Sequence, residues 1–132
     1  MLETLIKNIA QELDERKIPY MLIGGQAVLL YGRPRLTNDI DVTLGIDVES
    51  YSLIQEVCKK LKLKVIPKNP KVFVEETSVL PVEDTKLKIR VDFIFLFSPY
   101  ECLAIKRSKS VKIKEYRVKF AAIEDLIIHK ML

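Results

Sequence analysis

Residues 39–45 read Asp39-Ile40-Asp41-Val42-Thr43-Leu44-Gly45. Polar and apolar residues alternate with a period of two, which predicts a strand carrying Ile40, Val42 and Leu44 on one face and Asp39, Asp41 and Thr43 on the other. Carboxylates two apart on a strand leave the same face, with alpha carbons roughly 7 Å apart. A second strand signal spans Lys86 to Leu96 and ends in the run Val91-Asp92-Phe93-Ile94-Phe95-Leu96. Asp92 breaks that apolar run, and an ionised carboxylate buried there needs a partner.

Working outward, Tyr20 to Ile23 is an apolar run suited to a buried strand. It leads into Gly24-Gly25 and then Gln26 to Tyr31, a strand, glycine turn and short helix. Gly32-Arg33-Pro34-Arg35 is a loop, since Pro34 disfavours helical geometry at Arg33. Leu2, Leu5, Ile6, Ile9, Ala10 and Leu13 recur at helical spacing and predict an amphipathic helix over 2–17. Val48, Tyr51, Ile54, Val57, Cys58 and Leu61 predict another, with Asp47 as its N-cap. Residues 63–66 and 71–81 read as strands on either side of Pro67-Lys68-Asn69-Pro70. Ser98-Pro99-Tyr100-Glu101 is a capping-box start. Lys112 to Phe120 predicts a hairpin or extended pair, and residues 123–132 a last helix. Tyr20, Tyr31 and the series Phe93, Phe95 and Phe97 fit a core.

The 132 residues, 48% hydrophobic and 30% charged with only 4 Gly and 6 Pro, suit one globular domain over 1–132 and exclude disordered, collagen-like and repeat architectures. No stretch approaches the roughly 20 apolar residues of a membrane helix, and the amphipathic N-terminus is unlike a signal peptide, so the expectation is a cytoplasmic protein without a membrane partner. Cys58 and Cys102 make no disulfide framework and read as reduced thiols. Lysine and glutamate enrichment beside few Asn and Gln points to a thermophilic source. The formal charge is +4, unevenly spread: six lysines and no acid lie between Lys59 and Lys71, and seven basic residues against Glu115 lie between Lys106 and Lys119. Such runs suit a polyanionic partner such as RNA, or equally a solvated face.

Three carboxylates where strands should be apolar, with no His or Cys at ligand spacing, select Mg²⁺ or Mn²⁺ over zinc. A glycine pair between strand and helix lets a ligand approach the backbone, and amides at a helix start hold phosphate. Read without the glycine pair, Asp39 and Asp41 are ordinary residues of an edge strand, and Asp92 is open to pairing with Arg90 or Arg35.

Gly24-Gly25, then Asp39-Ile40-Asp41-Val42, then Val91-Asp92-Phe93 resembles the signature of the DNA polymerase beta-type nucleotidyltransferase superfamily. Ile23-Gly24-Gly25-Gln26-Ala27, Arg35-Leu36-Thr37-Asn38-Asp39-Ile40-Asp41 and Ala122-Ile123-Glu124-Asp125-Leu126-Ile127 with Lys130 resemble its minimal and AbiEii-type branch. The resemblance implies an α/β (α+β) nucleotidyltransferase fold, a short mixed sheet flanked by helices. It implies an enzyme that moves a nucleoside monophosphate from an NTP to a hydroxyl on RNA, a protein or a small molecule, releasing pyrophosphate. Asp39 and Asp41 would bridge two Mg²⁺ ions and Asp92 would hold the catalytic one, while Gly24 and Gly25 would bind the β and γ phosphates. Arg35, Thr37 and Lys130 are further candidates for the nucleotide. Arg35 and Thr37 equally suit shaping a loop, and Lys130 suits a helix end. The branch also implies a toxin-antitoxin or phage-defence setting with a partner protein. Gly25 stands where many superfamily members have Ser. The second reading is a catalytically inactive nucleotide-binding or partner-binding module of the same fold.

Overall fold

The computed structural model describes residues 2–23 and 39–122. Gly24, Gly25, Gln26, Tyr31, the 32–35 loop, Arg35, Thr37, the helix expected over 123–132 and Lys130 lie outside the described residues. In chain order the elements are α1 (Leu2–Glu15), β1 (Tyr20–Ile23), β2 (Asp39–Leu44), a 3-10 turn (Val48–Ser50), α2 (Tyr51–Leu61), β3 (Lys64–Val65), α3 (Pro70–Thr77), β4 (Val79–Asp84), β5 (Ile89–Ile94), α4 (Pro99–Lys106), β6 (Lys109–Ile113) and β7 (Tyr116–Phe120).

The strands form one mixed sheet in the order β3-β4-β5-β2-β1-β7-β6. The β2–β5 and β1–β7 pairs are parallel and the remaining neighbours antiparallel. One face carries the main core, with Ile40, Val42 and Leu44 of β2 and Val91 and Phe93 of β5 against Leu5, Ile9 and Leu13 of α1 and Ile54 and Val57 of α2. These side chains are all buried, and burying each one fully contributes on the order of 1.5–3 kcal/mol. The opposite face is covered over part of its area, where Met21, Ile23 and Ala121 pack with Ala104 and Ile105 of α4.

Four expectations are corrected. Residues 71–81 are not one strand: α3 occupies Pro70–Thr77, and only from Val79 is the chain a strand. Val72, Phe73 and Val74 favour a strand intrinsically, but Pro70 suits a first helical turn, and the helix buries Val74 in the main core. The strand expected over Lys86–Leu96 begins only at Ile89, because Asp84 Oδ1 accepts the N–H groups of Lys86 and Leu87 and makes a turn there. Asp47 accepts the Glu49 N–H as expected of a cap, yet caps the 3-10 turn, and α2 begins at Tyr51. Phe93 and Phe95 are fully buried, whereas Phe97, in the link between β5 and α4, is 65% exposed.

The capping box at α4 forms, with the Ser98 N–H donating to Glu101 Oε1 at 2.7 Å. The hairpin near the end of the described chain runs from Lys109 to Phe120 around Lys114-Glu115.

Candidate active site

Strand β2 presents Asp39 and Asp41 for a local reason. Its apolar residues are drawn to the main core, so the period of two sends both acids to the opposite face. Parallel pairing of β2 with β5 puts Asp41 directly opposite Asp92 and Asp39 opposite Arg90. Arg90 and Asp92 alternate with the buried Ile89, Val91 and Phe93, so they share the face of the β2 acids. Three carboxylates and one guanidinium thus stand together on two adjacent strands. The face is closed towards the other end of β2: Thr43 is buried, and its Oγ1 finds no hydrogen-bond partner among the described residues.

The Arg90 Nε–H donates to Asp92 Oδ1 at 2.9 Å, and half of the Arg90 side chain stays exposed. Asp92 raises the affinity of Arg90 for its proton, chiefly through this hydrogen bond. The Asp41 carboxyl is pushed up to about 6, first by burial and then by the like charges of Asp92 and Asp39, with Arg90 opposing the rise. An acid destabilised in this way favours a proton or a cation.

The donor set has the chemistry of a Mg²⁺ or Mn²⁺ site, with oxygen ligands only and an excess of negative charge. The three side chains are not gathered into a ready-made cluster, since among the described residues no group of three or more His, Cys, Asp or Glu side chains lies at metal-holding spacing. The sequence named all three acids, and Arg90 only as an alternative partner of Asp92. β1 ends at Ile23, directly opposite Asp41, and Gly24 and Gly25 follow it in sequence.

A cleft of about 440 Å³ lies on the same side of β5. Pro81, paired opposite Asp92, and Arg90 form its floor, while Lys68, Asn69, Val72 and Phe73 rise around it. This cleft was not legible in the residue pattern, because it depends on residues 70–77 being a helix. Cys58 is buried and Cys102 exposed, and both are free thiols. No helix among the described residues is long and apolar enough to cross a membrane.

No protein-family model and no curated protein matches the chain. Solved structures do match it. An antigenic nucleotidyltransferase-like protein from Paracoccidioides brasiliensis is 19% identical with a TM-score of 0.65, over 98% of this chain and 64% of that one. ANT(2'')-Ia in complex with adenylyl-2''-tobramycin is 21% identical with a TM-score of 0.68, over 98% and 74% of the two chains. A CCA-adding enzyme in complex with ATP is 18% identical with a TM-score of 0.56, over 93% of this chain and 28% of its own. The chain spans about two thirds of the first of these proteins and little more than a quarter of the last. It has the nucleotidyltransferase fold.

Proposed function

We propose that this protein is a divalent-cation-dependent nucleotidyltransferase that moves a nucleoside monophosphate from an NTP to a hydroxyl acceptor. The observation that carries this reading is the pairing of Asp41 opposite Asp92, with Asp39 two residues along the same face. Asp39 and Asp41 would hold two Mg²⁺ ions between them, with Asp92 completing the site on the acceptor side. Bound there, the ions would neutralise the triphosphate and stabilise the attacking and leaving oxygens together. The acceptor oxygen forms its bond to the α-phosphorus as the bond from that phosphorus to the bridging oxygen breaks, and pyrophosphate leaves. Asp92 would orient the acceptor hydroxyl and take up its proton as the new bond forms, which requires its carboxylate to leave Arg90. Gly24 and Gly25 would receive the β and γ phosphates on backbone amides, with Arg35, Thr37 and Lys130 as further contacts. Among the matched proteins are a lincosamide antibiotic adenylyltransferase and a tRNA nucleotidyltransferase complexed with a primer tRNA, which illustrate how widely the acceptor of this fold varies. A cytoplasmic setting and a two-component toxin-antitoxin or phage-defence role with a partner protein extend the reading through the AbiEii-type resemblance.

The Arg90–Asp92 ion pair favours one competing reading, a module that binds nucleotide without turnover. Thermal shift with each of the four NTPs, with and without Mg²⁺, followed by pyrophosphate release, separates the two. Transfer predicts Mg²⁺-dependent stabilisation by at least one NTP and release of pyrophosphate when an acceptor is supplied. Stabilisation without release across RNA, protein and small-molecule acceptors would favour the module, and no NTP-dependent shift at all would remove both readings.

A further inference from the structure

The cleft beside Asp92 combines features that the three acids do not explain. It opens on the acid-bearing face, since Pro81 pairs opposite Asp92 and Glu83 opposite Arg90. Its rim exposes apolar side chains: Ile66 is 47% exposed, Val72 52% and Phe73 37%. Among the described residues its charge comes from Lys68 and from Arg90, with Glu76 as the one acidic wall residue. Lys68 belongs to the stretch Lys59–Lys71, which holds six lysines and no acid. All six are exposed; Lys64 stands on the edge strand β3 and Lys68 in the cleft, whereas Lys59 and Lys60 end α2, Lys62 caps it, and Lys71 lines a separate hollow with Tyr51 and Gln55.

We propose that this cleft receives the acceptor, and that the acceptor is the 3′-terminal nucleotide of a single-stranded RNA. This rests on the transfer reading above and names its substrate class. A volume of about 440 Å³ suits one nucleotide. Phe73 and the neighbouring Val72 offer an apolar surface on which any base can stack, which favours an unpaired end over a duplex. Lys68 meets the phosphate, and Lys64 on the neighbouring β3 edge meets the backbone leading away from the site. Arg90 stands between the cleft and Asp92. A phosphate drawn to Arg90 would release the Asp92 carboxylate at the moment a hydroxyl arrives, so the ion pair becomes a positioning device that acceptor binding opens.

The second basic stretch is placed differently. Lys106 and Lys119 line a separate cavity beside Pro19 and Gly45, beyond the end of β2 opposite to Asp39. It therefore serves as an internal comparison.

The test is fluorescence anisotropy of an end-labelled 12-nucleotide oligoadenylate RNA on the full chain, with Mg²⁺-ATP binding measured by titration calorimetry on the same preparations. The wild type should bind the RNA with an affinity that falls steeply between 50 and 200 mM salt. Phe73→Ala and Lys68→Glu should each weaken it roughly tenfold, in line with the usual contributions of stacking and phosphate contacts. Phe97→Ala, an exposed aromatic outside the cleft, and Lys119→Glu should leave it unchanged, and all four variants should keep Mg²⁺-ATP affinity. Free AMP should compete only weakly, and competition as strong as that of the RNA would overturn the assignment of an RNA strand. Wild-type protein that binds Mg²⁺-ATP but not the RNA would overturn the acceptor assignment and leave the transfer reading standing, with a protein or small molecule as acceptor. RNA binding that Phe97→Ala or Lys119→Glu weakens as much as Phe73→Ala does would also overturn it. Loss of Mg²⁺-ATP binding by the wild type would instead strike the transfer reading itself.

Discussion

Asp41 should cost this protein stability whenever it is charged and no cation is bound. Burial and the adjacent carboxylates of Asp92 and Asp39 lift its carboxyl to about 6, whereas an unfolded chain returns it to the ordinary value near 3.9. A gap of about two pH units corresponds to a ceiling of about 3 kcal/mol at 1.36 kcal/mol per unit, and solvent screening of this partly open site reduces it to about 1 kcal/mol. The sign follows from proton linkage. Between pH 4 and 6 the native state binds more protons at Asp41 than the unfolded state does, so this contribution erodes stability as pH rises through that window and is complete above it. Asp41→Asn keeps the shape and removes the charge. In chelator-containing buffer the variant should therefore melt about 3 °C above the wild type at pH 7.5, given the entropy of unfolding of a chain this size. The difference should close as pH falls towards 4. Differential scanning calorimetry across pH 4 to 8 reads this directly. A variant that melts below the wild type at pH 7.5, or a difference as large at pH 4 as at pH 8, would show that the acids are not electrostatically crowded.

Three other outcomes are expected. Asp92→Asn should keep most Mg²⁺-NTP affinity while transfer falls at least 100-fold, whereas Gly25→Val should lose both; calorimetry with a non-hydrolysable NTP beside a transfer assay checks the pair, and undiminished transfer by Asp92→Asn would show that the third acid has another role. Lys114 and Glu115 both have positive φ, 48° and 68°, in the two-residue turn of the β6–β7 hairpin. Replacing them with Asn and Gly, which suit that turn, should raise stability by about 1 kcal/mol in urea titration, with no effect on transfer. Gly45→Ala should lower stability by about 1–3 kcal/mol in the same titration, because a β-carbon there would come within 2.8 Å of Pro19 Cβ.

The parts of the fold legible in the sequence are those where one residue pattern has one solution. The alternation from Asp39 to Leu44 could only be a half-covered strand, and Ser98-Pro99 with Glu101 could hardly be anything but a helix start. The amphipathic stripe of α1 was equally plain, although the helix stops at Glu15 rather than running to 17. Legibility failed where local preference and tertiary packing disagree. Lys71-Val72-Phe73-Val74 carries strand-forming residues on a segment that is helical, since a helix buries Val74 in the main core and leaves Val72 and Phe73 at the surface. The turn that shortens β5 was hidden for a similar reason. Lys88 adopts positive φ, which an unremarkable lysine does not announce.

The same division runs through the candidate site. Its acids were visible because charge inside an apolar strand is costly and therefore conspicuous, and the pairing of Asp41 with Asp92 follows once both strands are granted to be parallel neighbours. Arg90 was visible only as one of two arginines able to reach Asp92, since the choice between them depends on side-chain geometry. The cleft was invisible. It exists because α3 stands as a helix beside β4, and a strand over 71–81 would have carried Phe73 along the sheet instead of to the rim. The element least legible in the sequence is thus the one that shapes the ground beside Asp92. The strands dictate where charge must be answered by a cation, and the intervening helix decides what can approach it.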